Sequence, residues 1–109
     1  MSKYGNKKVC IGGEVFDSQR EYNRWCELLL LQRTGKISGL RRQPRFLLIP
    51  AMRDSHGAVR ATYYIADFVY TDTEKREVVV EDAKGYRTDV YKLKKKMMLD
   101  KYHIEVQEV

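Results

Sequence analysis

The chain has 109 residues, of which 21 are Lys or Arg and 15 are Asp or Glu, giving a net charge of +6 and a sequence pI of about 9.4. That length suits one domain over residues 1–109, and 43% hydrophobic residues with only two prolines supply a core, which excludes disordered and collagen-like chains. No apolar run approaches the roughly 18 residues that a membrane helix needs, and Met1 to Lys8 has no apolar signal core, so the expectation is a soluble, cytoplasmic-type protein with no membrane partner.

Cys10, Cys26, His56 and His103 stand in no metal-ligand spacing, and both cysteines read as small core residues. The positive excess points to an anionic partner, nucleic acid first, although charge of this kind describes association rather than chemistry.

In chain order, Lys7 to Phe16 reads as a hairpin about the turn pair Gly12-Gly13. Ser18-Gln19-Arg20-Glu21 has the form of a capping box, and Tyr22, Trp25, Cys26 and Leu29 follow at helical spacing until Gly35, which predicts a helix from about Gln19 to Thr34. Arg41 to Ile49 reads as one buried strand stopped by Pro50, and Arg53 to Gly57 as a loop. Val59 to Tyr70 and Glu77 to Lys84 are both strongly β in composition, joined by a polar turn over Thr71 to Arg76. Thr88 caps a second expected helix, Asp89 to Tyr102, with an apolar stripe of Val90, Leu93, Met97 and Met98, and a short strand closes the chain over His103 to Val109. Strands interrupted by two helices imply an α/β fold: a central mixed β-sheet flanked by helices and preceded by an N-terminal β-hairpin.

Three charged residues occupy strand positions that ordinarily carry apolar ones: Asp67, Asp82 and Lys84. Burying charge there costs stability unless something satisfies it. Alternation puts Asp82 and Lys84 on one face and Glu81 on the other, where Glu81 is expected to face solvent or pair with a lysine. A tight turn centred on Glu74-Lys75 places Thr73 opposite Arg76 and Asp67 opposite Asp82, with Cβ atoms roughly 5 Å apart. Two carboxylates so close either share a proton or hold a cation, unless the register differs. Mg²⁺ suits them as a hard ion taking one or two carboxylates plus waters and phosphate, and Lys84 can then hold the attacking water.

Asp67, followed fifteen residues later by Asp82-Ala83-Lys84, resembles the core signature of the PD-(D/E)XK nuclease superfamily. More closely, Lys3-Tyr4-Gly5-Asn6-Lys7, Phe16-Asp17-Ser18 with Glu21, Gln43-Pro44, Tyr64-Ile65-Ala66-Asp67-Phe68, Asp82-Ala83-Lys84-Gly85 and Thr88-Asp89-Val90-Tyr91-Lys92 together resemble a family of small phage and prophage proteins placed in that superfamily. The resemblance covers nearly the whole chain and departs at Ala66, where the signature has proline. It implies a restriction-endonuclease-like core, Asp67 and Asp82 as metal ligands, the Ala83 backbone carbonyl as a further ligand, and Lys84 positioning water. Many members add an acid from the first helix, and Glu21 matches that position, although Ser18-x-x-Glu21 also explains it as a cap.

Arg87, Lys92, Lys94, Lys95 and Lys96 form the densest basic patch, read as DNA phosphate contacts or as a solvated helix face. Arg41, Arg42 and Arg45 extend that surface, and Gln43 between them is a site-lining candidate. The resulting expectation is a Mg²⁺-dependent DNA endonuclease, with Mn²⁺ as a substitute. The relatives include Holliday-junction resolvases, which implies branched or structured DNA as substrate and pairing as a homodimer in a bacterial host cytoplasm. The rivals are a non-catalytic nucleic-acid-binding module and a protein-binding phage accessory factor.

Overall fold

The first turn is set by Gly12 and Gly13, both at positive φ (61° and 83°), where a Cβ would be strained. Strand β1 (Val9–Ile11) therefore folds straight back on β2 (Glu14–Phe16), with Cys10 opposite Val15. The computed structural model describes residues 8–83 and 87–109. Helix α1 (Gln19–Arg33) begins where the Ser18 hydroxyl accepts from the Glu21 amide at 3.1 Å, and the chain turns away at Gly35, φ 82°. Strands β3 (Ile37–Arg42), β4 (Arg45–Ile49), β5 (Met52–Asp54), β6 (Gly57–Val59), β7 (Thr62–Ile65), β8 (Phe68–Asp72) and β9 (Glu77–Asp82) follow, then helix α2 (Asp89–Tyr102), capped by Thr88, and β10 (Gln107–Glu108).

The central sheet runs β10-β9-β8-β3: β3, β8 and β9 are antiparallel in turn, and α2 carries the chain across to β10, parallel to β9. The architecture is thus α/β, a mixed sheet with two helices and an N-terminal hairpin. The two faces of the sheet bury different sets. Phe68 and Tyr70 join Leu28 and Ile37 under α1, where Trp25 stacks on Phe68 at 5.9 Å. Val69 and Val80 join Tyr64, Leu48, Tyr91, Met98 and Val106 under α2.

Several expectations are corrected. The single strand expected over Arg41 to Ile49 is two strands, because Pro44 has no amide to donate and Gln43 turns the chain at φ 51°. The facing stretch breaks at the same level, between β7 and β8, at Ala66-Asp67. Gln43 N donates to Asp67 O at 2.9 Å and Ala66 N to Pro44 O at 3.2 Å, so the β3/β8 and β4/β7 ladders are halves of one bent ribbon. Arg53 to Gly57 is no loop but the end of a β5–β6 hairpin, with Met52 opposite Val59 and Asp54 opposite Gly57. The closing strand shrinks to two residues.

Both helices bury only part of the expected stripes: Trp25 packs on the core from α1, and Met97 and Met98 do so from α2. On α1 the buried residues are Glu21 and Leu28, while Leu29 and Cys26 are exposed. On α2 they are Tyr91 and Met98, while Val90 and Leu93 lie open to solvent. The expected stripes followed hydrophobicity alone, whereas α1 turns a carboxylate inward because the sheet offers it partners. Cys10 is exposed as well, on the hairpin, so neither cysteine is a core residue.

Candidate acidic site at one end of the sheet

The β8–β9 hairpin keeps the expected register: Asp72 pairs with Glu77, Tyr70 with Val79 and Phe68 with Glu81. One step further the ladder changes. Asp67 N donates to Glu81 O at 3.1 Å, and the Asp67 side chain reaches along β9 so that Oδ2 accepts from Ala83 N at 2.6 Å. The ribbon kink therefore aims Asp67 at the chain leaving β9, where Asp82-Ala83 stands.

Two more carboxylates flank it from opposite faces of the sheet. Asp82, 1% exposed, lies on the α2 face and accepts from the Tyr64 hydroxyl. Burial first, then the Asp82 charge, pushes the Tyr64 phenol well above its ordinary pKa, so it remains a donor; Asp67 adds to the same effect. Glu21, in the first turn of α1, is also 1% exposed. Its Oε2 accepts from Asp17 N at 2.9 Å, and its Oε1 lies 3.4 Å from an Arg42 guanidinium nitrogen. Burial and then the charge of Asp67 raise the Glu21 pKa above its usual 4.5, against the opposing pull of the Asp17 amide and Arg42. Ser18 thus caps the helix through the Glu21 amide, but the Glu21 carboxyl group closes on the Asp17 amide rather than on that of Ser18, so only half of the expected capping box forms.

A pH consequence follows from that raised pKa. The folded state binds the Glu21 proton more tightly than the unfolded chain does, so this group's contribution to stability falls as pH rises from 4.5 through the raised value. Glu21→Gln, which keeps an oxygen for Asp17 N, is expected to melt higher than wild type near pH 8, with the gain shrinking toward pH 4. Thermal unfolding across that range checks it, and a pH-independent difference refutes it.

Glu81 overturns its expectation. It does lie on the face opposite Asp82, but that face is covered by α1, and Glu81 is 2% exposed. Arg24, three residues after Glu21, grips it through two bonds, Nε to Oε1 at 2.8 Å and Nη2 to Oε2 at 2.6 Å, and the Tyr70 hydroxyl donates to the same carboxylate. The sequence offered one signal: an Arg on the helix face that also carries Glu21.

Of the basic candidates, Lys92 and Lys96 are exposed on α2, while Arg87 and Lys95 close on Glu108 at 2.6 and 3.3 Å. Arg87 first, with Tyr91 and Lys95, holds the Glu108 carboxyl down to about 2. Arg42 leaves the expected DNA surface altogether: its guanidinium stacks on Phe16 at 3.9 Å, donates to Val15 O and pairs with Glu14 and Glu21. Gln43 is exposed at the kink, tied through its backbone to Asp67. Lys84 lies outside the described residues.

All the acids here offer hard oxygen donors, and the charge of Asp67 adds to the burial that raises the Glu21 pKa. Among the described residues no three His, Cys, Asp or Glu side chains close into one metal-ligating group. An ion of the Mg²⁺ kind takes one or two carboxylates and completes its shell with waters, a carbonyl or substrate phosphate.

Fold and site together define a small α/β protein whose mixed sheet ends in a cluster of buried carboxylates. The chain belongs to the family described as Protein of unknown function (DUF1064), whose model matches residues 1–108. No curated protein and no solved structure matches it. Among the described residues no helix is long and apolar enough to cross a membrane.

Proposed function

We propose that the protein is a divalent-metal-dependent DNA endonuclease with a restriction-endonuclease-like core. The observation that carries this reading is the bond from Ala83 N to Asp67 Oδ2, which sets Asp67 beside the end of β9 that carries Asp82, with the Asp67 charge felt by Glu21 of α1 and Lys84 two residues beyond Asp82 in sequence. The elements of the central sheet support it: with β4 to β7 set aside as an excursion between β3 and β8, the order is helix α1, three antiparallel strands, helix α2 and a parallel strand. Asp67, Asp82 and the Ala83 carbonyl would hold Mg²⁺ or Mn²⁺, with Glu21 on the ion or its water shell. A bound ion there supplies a nucleophile by acidifying water and offsets charge on the phosphoryl oxygens. Tyr64 fixes the Asp82 carboxylate, and the Ala83 amide fixes Asp67, so the two acids are oriented before substrate arrives. Lys84 orients the water and balances charge on the phosphate. Branched or structured DNA as substrate, a homodimer, and a phage or prophage origin in a bacterial cytoplasm complete the reading.

One observation favours a second reading. Those same bonds from Tyr64 and Ala83 satisfy the carboxylates within the fold, as a non-catalytic nucleic-acid-binding module would require. A panel of linear, nicked, flapped and four-way-junction DNA, incubated with Mg²⁺, Mn²⁺ or EDTA, separates the two. Metal-dependent cutting by wild type, lost in Asp82→Ala and Lys84→Ala, is the expected result. Binding without cutting by wild type would give the module first place.

A further inference from the structure

The hairpin β5–β6 has no counterpart in the sheet-and-helix core and is exposed along both strands, with only Gly57 half-buried. Its turn is closed locally, Asp54 Oδ1 accepting from His56 N at 2.7 Å. From Arg45 to Ile65 the chain carries three arginines, Arg45, Arg53 and Arg60, against the single acid Asp54. Arg45 lies over the Tyr63 ring at 4.0 Å, whereas Arg53 and Arg60 are exposed and have no ion-pair partner among the described residues. Beside α2, by contrast, Arg87 and Lys95 already share Glu108 as an ion-pair partner.

We infer that the β5–β6 arm grips duplex DNA, laying its two-stranded ribbon into the major groove while Arg53 and Arg60 meet phosphates. The inference deepens the nucleic-acid part of the function proposed above by naming the surface and the form of DNA it takes. A two-stranded β-ribbon fits the major groove of B-DNA, which is about 12 Å wide. The arm is also joined to the acids by a short stretch of chain: β6 runs on through Arg60-Ala61 into β7, and Ala66-Asp67 follow β7 directly. Asp67 lies eleven residues on from His56 at the tip, a span of at most about 36 Å at strand rise. That is comparable with one turn of B-DNA, about 34 Å. DNA held by the arm thus presents a phosphate to the sheet end within a helical turn.

The test is equilibrium binding of a 30-base-pair duplex in EDTA, across a salt series, by wild type, Arg53→Ala/Arg60→Ala and a control, Lys36→Ala/Lys75→Ala. The control residues are exposed at the opposite end of β8, beside the β8–β9 turn. Two lost phosphate contacts should weaken binding about tenfold or more and flatten the log–log salt slope by about 1.8, with little change in the control. Equal slopes for the arm variant and wild type would overturn the grip, as would a wild type that binds no duplex. Duplex RNA of the same sequence should bind less well, since its deep, narrow major groove excludes side chains; equal affinity for it counts against the groove placement. If the arm instead docks a second copy of the chain, the arm variant will change sedimentation while leaving the salt slope intact. None of these readouts requires cleavage, so the inference stands or falls apart from catalysis.

Discussion

Arg24→Leu is expected to be the most destabilising single surface-to-core change on α1, costing about 3 kcal/mol and lowering the melting temperature by at least about 12 °C. Arg24 and Glu81 join α1 to β9 through two charge-assisted bonds, and Glu81 has almost no contact with water. Removing the guanidinium leaves a carboxylate buried against Tyr70 alone, and an uncompensated buried charge is far more costly than the net worth of the pair that held it. The lower end of the usual range applies because the Arg24 side chain keeps 24% of its exposure. The triple variant Arg24→Leu/Glu81→Leu/Tyr70→Phe is expected to recover most of the loss, since apolar groups of similar size in place of a whole buried polar set are close to neutral. Denaturant or thermal unfolding of the single and triple variants decides it; a triple variant as unstable as the single one would show that the network is worth more than its replacement.

That network also marks the limit of what the sequence disclosed. Features governed by chemistry within a few residues were legible: the glycine pair that must take positive φ at the first turn, the Ser18 and Thr88 oxygens that satisfy helix amides, and the short polar turn that sets Phe68 opposite Glu81. The hairpin register held only as far as Phe68 and Glu81; beyond it Asp67 bonds the Glu81 carbonyl and the Ala83 amide in place of a ladder pairing with Asp82. Glu81 was not legible, because the partner that makes its burial tolerable lies 57 residues away on α1. The same ignorance of partners put exposed Cys26, Leu29, Val90 and Leu93 on the expected helix stripes and sent Arg42 to the surface, when Phe16, Glu14 and Glu21 hold it against the hairpin. The ribbon kink escaped because it takes two strands to make it: Pro44 breaks one, but only cross-strand bonds from Gln43 and to Pro44 show that Ala66-Asp67 bends with it. Exposed β5–β6, without a buried residue, left no hydrophobic alternation to read.

Asp67→Ala is expected to lower metal-dependent DNA cleavage at least about a thousandfold, equivalent to about 4 kcal/mol of barrier, while leaving DNA affinity in EDTA unchanged or higher. Asp67 stands between the two flanking acids: its carboxylate holds the Ala83 amide, raises the Glu21 pKa and adds to the field on Tyr64. Its loss therefore removes an oriented oxygen ligand from the proposed ion and, in the ion's absence, removes a negative charge that opposes any approaching phosphate. Catalysis and binding should move in opposite directions, which a residue serving only the fold would not produce, since unfolding lowers both. A further readout comes from Glu21. Without the neighbouring charge its pKa should drop back toward the ordinary value, so the extra stability that Glu21→Gln brings near pH 8 should be smaller in the Asp67→Ala background than in wild type. Cutting that survives Asp67→Ala at a wild-type rate would remove this residue from the site, and additive effects of the two substitutions at pH 8 would place Glu21 and Asp67 in separate environments.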